Sequence, residues 1–104
     1  MSSYNIEITK PAEKDLYEIG RYIANELLAP DKAVKTIDKI ASEIFKLEEM
    51  PYRNAIVDDD KLASQSIRKL LIDNYIVFYV VNEEKKKVTV VRILYKRRDW
   101  INIL

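Results

Sequence analysis

The 104-residue sequence predicts an α+β fold of order β-α-α-β-β-β, with an N-terminal strand and a helical hairpin packed on one face of a mainly antiparallel sheet. Three observations carry this reading. The chain opens on a short alternating apolar segment. Two apolar stripes at helical spacing follow, separated by a proline. Three β-rich runs bounded by turn residues fill the C-terminal half. At this length one domain over residues 1–104 is expected.

Tyr4, Ile6 and Ile8 alternate with Asn5 and Glu7, the period of a strand with one buried face. Thr9-Lys10-Pro11 reads as a helix start, Thr9 as its cap and Pro11 in the first turn, where a missing N–H costs nothing. Ala12, Leu16, Ile19, Ile23 and Leu27 then form one apolar stripe, broken by Ala29-Pro30-Asp31. A second stripe runs through Ala33, Ile37, Ile40, Ile44 and Leu47, and Pro51 closes it. Tyr52 to Gln65, with Asp58-Asp59-Asp60, carries little pattern and reads as a solvated loop, too unconfined for a metal. Strands are expected at 67–72, 75–81 and 88–95, with Asp73-Asn74 a tight turn and 82–87 a longer polar one. The residues after Tyr95 read as a charged tail.

Composition narrows the chemistry. With no cysteine and no histidine, disulfides, Cys-ligated clusters, the usual haem and zinc ligand sets and every Ser-His-Asp or Cys-His arrangement are excluded. No metal or small-molecule cofactor is expected. The start of the chain has no basic or long apolar region, and the longest apolar run is the seven residues Tyr75–Val81. A cytoplasmic protein without membrane partners is the simplest expectation.

The formal charge of +1 conceals a division. Residues 1–60 hold 8 Lys+Arg against 13 Asp+Glu, a net −5, and residues 61–104 hold 10 against 4, a net +6. A polyanionic partner is therefore not excluded. The stretch from Arg92 to Trp100 interleaves cations with Tyr95 and Trp100, a mixture suited to phosphate pairing and base stacking. Lys85-Lys86-Lys87 fits a solvated turn better. Strand alternation puts Arg68 and Lys69 on opposite faces, Arg92 with Val90 and Leu94, and Tyr95 with Val91 and Ile93. Tyr75 and Tyr79 fit core positions better than catalytic ones.

Four segments together resemble the RelE/ParE superfamily of bacterial type II toxin–antitoxin toxins over nearly the whole chain. They are Ile6-Glu7-Ile8-Thr9-Lys10-Pro11-Ala12-Glu13-Lys14-Asp15-Leu16, then Ile19-Gly20-Arg21-Tyr22-Ile23, then Arg68 with Asn74-Tyr75-Ile76-Val77-Phe78-Tyr79, and finally Val91 to Asp99 with its Arg-Arg-Asp ending. The resemblance implies a RelE/ParE-like fold and a growth inhibitor neutralised by a cognate antitoxin. Such antitoxins commonly bind as a segment that folds on contact, here over exposed apolar and basic sheet surface, and commonly bind DNA as well.

The superfamily's branches differ in mechanism. One cleaves mRNA on the ribosome; the other poisons DNA gyrase by binding, without hydrolysis. Lys69 and Arg97 fall where the ribonuclease branch has a basic strand residue and a phosphate-binding Arg. Ile76 stands where that branch has an Arg, and the Tyr or His expected near the C-terminus is missing. A metal-independent endoribonuclease would therefore rely on Arg97, Lys69 and Lys96, with a lysine or tyrosine replacing histidine in proton transfer. Arg68, Arg92, Tyr95, Arg98 and Trp100 are the candidate contacts to nucleic acid or target. The incomplete ribonuclease set and the Tyr22-Ile23 pattern tilt the reading slightly toward a ParE-like, gyrase-directed, non-hydrolytic toxin. The alternatives are the mRNA endonuclease and an inactive member that only binds its antitoxin.

Overall fold

The computed structural model describes residues 3–104. Strand β1 (Asn5–Ile8) leads into helix α1 (Lys10–Arg21), which is followed by α2 (Pro30–Phe45) and the short α3 (Asp60–Ser64). Strands β2 (Arg68–Ile72), β3 (Tyr75–Asn82) and β4 (Lys87–Tyr95) come next, and a final turn of helix, α4 (Trp100–Ile103), closes the fold. The sheet order is β1-β4-β3-β2, with β1 parallel to β4 and the other pairs antiparallel.

Thr9 starts α1 as expected: its hydroxyl oxygen accepts the Ala12 N–H at 3.3 Å and its O–H donates to the Val90 carbonyl at 2.9 Å. The α-helix gives way at Tyr22 to a π turn through Glu26, in which the Leu27 N–H reaches back five residues to the Tyr22 carbonyl. This wider turn corrects the expected stripe. Ile23 stays in the core, whereas Leu27 is rotated out and half exposed. Leu28 then reverses the chain in the left-handed region, φ 51°, with 82% of its surface exposed. Pro30, read as a breaker, is the opening residue of α2, where its fixed φ suits a helix start. The two helices approach closely at Gly20, where a Cβ would lie 3.3 Å from the Ile37 side chain.

Two cores result. The helical hairpin contributes Ala12, Ile40, Ile44 and Leu47 against Leu70, Ile72, Val77 and Tyr79 on one sheet face. Phe78, Ile76, Leu94 and Ile67 lie on the other, under Val57 and Leu62. The expected loop at 52–65 is therefore structured. It contains a 3₁₀ turn at Pro51–Arg53, an Ile56–Arg68 bridge and α3, whose N-cap Asp59 accepts from the Leu62 N–H. Asp59 thus serves as a cap. The expected charged tail also folds: Trp100 packs on Phe78 with ring centroids 5.3 Å apart, and Ile103 and Leu104 join the second core.

A β-bulge changes the facing of β4. Tyr79 pairs with Val90 but Phe78 pairs with Arg92, so Val91 is the extra residue. Val90 and Ile93 consequently share the helix-side core while Leu94 joins the opposite one. The expected grouping of Arg92 with Leu94 and of Tyr95 with Ile93 holds, whereas Val90 and Val91 change sides, because alternation carries no information about an inserted residue.

At the β3–β4 turn, Glu83 Oε1 accepts from the Tyr4 hydroxyl at 2.7 Å and the Tyr52 hydroxyl at 2.9 Å, and Lys86 pairs with Oε2. Lys87 pairs with Glu7 at 2.8 Å. Lys86 and Lys87 are thus engaged structurally. The Lys86 ammonium, then Tyr4 and Tyr52, hold the Glu83 carboxyl at about 2, from 4.5. Both hydroxyls are pushed above 10, first by the Glu83 carboxylate and then by burial.

Two measurements check these features. Leu28→Gly removes the left-handed strain and raises stability by about 0.5–1 kcal/mol in urea denaturation. The Glu83 contribution is complete above its ordinary value of 4.5 and is lost as pH falls toward 2. Denaturation midpoints followed over that window fall more steeply for the native chain than for Glu83→Gln.

Candidate functional site

Beyond Ile8 the chain leaves the sheet, so β1 covers β4 only from Lys87 to Val90. Helix α1 takes over as partner of the remaining edge. The Thr9 hydroxyl lies within hydrogen-bond distance of the Val90 and Val91 carbonyls, at 2.9 and 3.1 Å, and Asp15 accepts the Ile93 N–H at 3.0 Å. The same carboxylate binds Arg92 in two places, at 2.6 Å to Nε and 2.8 Å to Nη2. That hydrogen-bonded pairing pushes the guanidinium still further above its ordinary range, against a smaller opposing effect of burial.

Alongside this junction, α1 and the end of β4 flank a cleft of about 1120 Å³ whose lining includes Asp15, Arg92 and Ile93. Helix α1 and the start of the π turn line one wall with Lys10, Lys14, Glu18 and Tyr22, spaced four residues apart. Leu27 and Lys32 come from the hairpin tip, and Asn74, Tyr75, Tyr95 and Arg98 from the sheet end. Tyr75 and Tyr95 are directly opposed in the β3–β4 ladder, their ring centroids 5.8 Å apart at an interplanar angle of 70°. Burial, then the neighbouring Tyr95 and Tyr22 hydroxyls, push the Tyr75 hydroxyl above 10.

Arg92, Tyr95 and Arg98 are thus brought together, with Arg92 neutralised by Asp15. Lys96 and Arg97 are exposed in the turn after β4, where the Lys96 N–H donates to the Asn74 carbonyl at 2.8 Å. Trp100 lies under the opposite sheet face on Phe78. Arg68 belongs to the far end of the sheet. It pairs with Tyr79, donates to the Asn54 carbonyl at 2.6 Å and lies 5.0 Å from the Tyr52 ring centroid. The Tyr79 hydroxyl is also engaged there, donating to Pro51 at 2.7 Å. Lys69 pairs with Phe78, on the face away from Arg68. The sequence reading did not single out Lys10, Lys14, Lys32 or Tyr22 for the site. The signal was present in the four-residue repeat of Lys10, Lys14 and Tyr22.

Tyr4, Tyr52, Tyr75 and Tyr79 are pushed up, Glu83 down, and Lys86 and Arg92 up, each away from neutrality. No group of three or more carboxylates able to hold a metal occurs among the described residues. The arrangement is equipped to bind anionic and aromatic groups.

The family model described as the ParE toxin of the type II toxin–antitoxin system, parDE, matches residues 6–100. The chain belongs to the ParE toxin family. Among solved structures it is similar to the chromosomal ParDE system of P. aeruginosa, with 20% identity, a TM-score of 0.74, and coverage of 91% of this chain and 98% of that one. It is also similar to the RelBE2 complex of Mycobacterium tuberculosis, with 16% identity, a TM-score of 0.66, and coverage of 89% and 98%. A free E. coli RelE mutant shares 15% identity and a TM-score of 0.64, covering 97% and 92%. No functionally curated protein matches this ParE-family chain by sequence. The expected helices-on-sheet fold agrees with these structures.

If Asp15 organises the junction, Asp15→Ala costs about 2–3 kcal/mol, because it strands both the Arg92 charge and the Ile93 N–H. Adding Arg92→Met recovers part of that loss, read as a double-mutant cycle in urea denaturation.

Proposed function

We propose that this ParE-family chain is a cytoplasmic growth inhibitor, restrained by a cognate antitoxin, that poisons DNA gyrase by binding and carries out no hydrolysis. The domain responsible is the whole of 1–104. The family match over residues 6–100 favours the ParE-like branch. The partner follows from the family description and from relatives solved as toxin–antitoxin complexes.

The observation that carries the non-hydrolytic reading is the dispersal of the residues that the ribonuclease pattern would use, Lys69, Lys96 and Arg97. Such a reaction requires a base, an acid and cations around one phosphate. Lys69 and Arg68 lie on opposite faces of β2, Arg92 is saturated by Asp15, and Tyr79 is committed to Pro51 and Asn54. Arg97 and Lys96 are exposed in a turn after β4 with no proton-transfer partner among the described residues. Dispersal of this kind is compatible with adhesion to a large target and unfavourable for concerted proton transfer.

Induction of the chain in a bacterial culture is expected to arrest growth, while the purified protein blocks supercoiling by gyrase and leaves message ends unchanged. Codon-phased mRNA cuts with normal supercoiling would establish the endonuclease instead. Normal growth, with antitoxin still bound, would mark an inactive binding module. Arg97→Ala is expected to leave gyrase inhibition within about twofold, and loss of mRNA cleavage in that variant is the signature of the ribonuclease reading.

A further inference from the structure

The cleft beside α1 gathers positive charge within the acidic half of the chain. Residues 1–60 carry a net −5, yet Lys10, Lys14 and Lys32 all line this one cavity, joined by Arg98 from beyond β4. None of the four makes an ion pair among the described residues. The acids in the lining are largely spent elsewhere: Asp15 holds Arg92, and Asp73 pairs with Lys39 at 3.0 Å, leaving Glu18.

The tyrosines divide in the same way. At the far end of the sheet Tyr4, Tyr52 and Tyr79 each donate a hydroxyl hydrogen bond. Tyr22, Tyr75 and Tyr95, in the cleft, donate none among the described residues. Ile23, Ile93 and Leu94 contribute only a floor, each at most 2% exposed. The aliphatic side chains that keep accessible surface in the lining are Pro11, Ile19 and Leu27, set against three tyrosines without a donated hydrogen bond and four cations without an ion pair among the described residues, a balance that favours a flat anionic ligand. The volume of about 1120 Å³ slightly exceeds that of ordinary small-ligand clefts, roughly 300–1,000 Å³.

We propose that this cleft binds an unpaired nucleotide, its base against Tyr22, Tyr75 and Tyr95 and its phosphate among Lys10, Lys14, Lys32 and Arg98. Stacking is sequence-tolerant because every base presents a π-face, and lysines supply the phosphate attraction without base selectivity. The nucleotide's source is either a free mononucleotide or an unpaired stretch of a strand. The proposal is independent of which cellular target the toxin engages.

Fluorescence anisotropy of the purified chain with a labelled oligodeoxythymidine of about ten residues tests it. Binding is expected, weakened about fivefold or more by Tyr95→Leu, with thermal unfolding checked for each variant. Lys14→Gln is expected to lower the slope of log affinity against log salt by about 0.7. An abasic strand of equal length separates stacking from charge, and its binding as tightly as the thymidine strand overturns the proposal. So does polyglutamate competing as well as DNA, which would make the cleft an acidic-peptide site, or no binding at all. Displacement by thymidine monophosphate assigns the site to a free nucleotide, whereas binding that resists displacement assigns it to a strand; both uphold it.

Discussion

The junction of α1 with the free edge of β4 is the constraint on which the rest of this structure depends. Strand β1 is only four residues long, so the edge beyond Val90 has no strand to pair with. An unpaired N–H at a buried position such as Ile93 is costly, and an unpaired guanidinium costlier. Asp15 satisfies both with one carboxylate, while Thr9 caps α1 and bonds to Val90. These contacts fix where the helix crosses the sheet. The cleft opens beside these contacts, with Asp15, Arg92 and Ile93 in its lining.

Two local irregularities complete that geometry. The bulge at Val91 sends Leu94 to the far core and leaves Tyr95 paired with Tyr75 at the cleft end of the ladder. The π turn after Arg21 swings Leu27 away from the core and onto the cleft wall. A regular helix would have kept Leu27 on the buried stripe, whereas the bulge exposes none of Val90, Ile93 and Leu94. The opening is lined by Lys10, Lys14, Lys32 and Arg98, which make no ion pair among the described residues, beside the paired Asp15 and Arg92.

Most of the fold was legible because it follows periodicity. The four strands, the α1 cap at Thr9 and the α2 stripe through Ile40, Ile44 and Leu47 all appear where the apolar pattern and turn residues put them. What escaped is aperiodic. Helices α3 and α4 span five and four residues, too short for a 3.6-residue pattern to emerge, and a bulge or π turn leaves no compositional mark. The site was partly legible for a related reason. Arg92, Tyr95 and Arg98 are near neighbours in sequence, whereas Lys10 and Lys14 meet them only through tertiary crossing. Arg68 and Lys69 were correctly placed on opposite faces, since strand alternation alone decides that.

The distribution of satisfied and unsatisfied polar groups separates the two ends of the sheet. At the β3–β4 turn, Tyr4, Tyr52 and Lys86 all bond to the Glu83 carboxylate and tie the N-terminal segment to the turn. That closed network can contribute rigidity but offers little to a ligand. At the opposite end the cations and tyrosines have no such partners, and the shared carboxylates are already engaged by Arg92 and Lys39. Binding at that end need not break an existing ion pair, and the desolvation of exposed lysines is modest compared with that of buried charge. An anionic ligand in this cleft would meet cations that are not already paired, and its affinity would rise as salt is lowered.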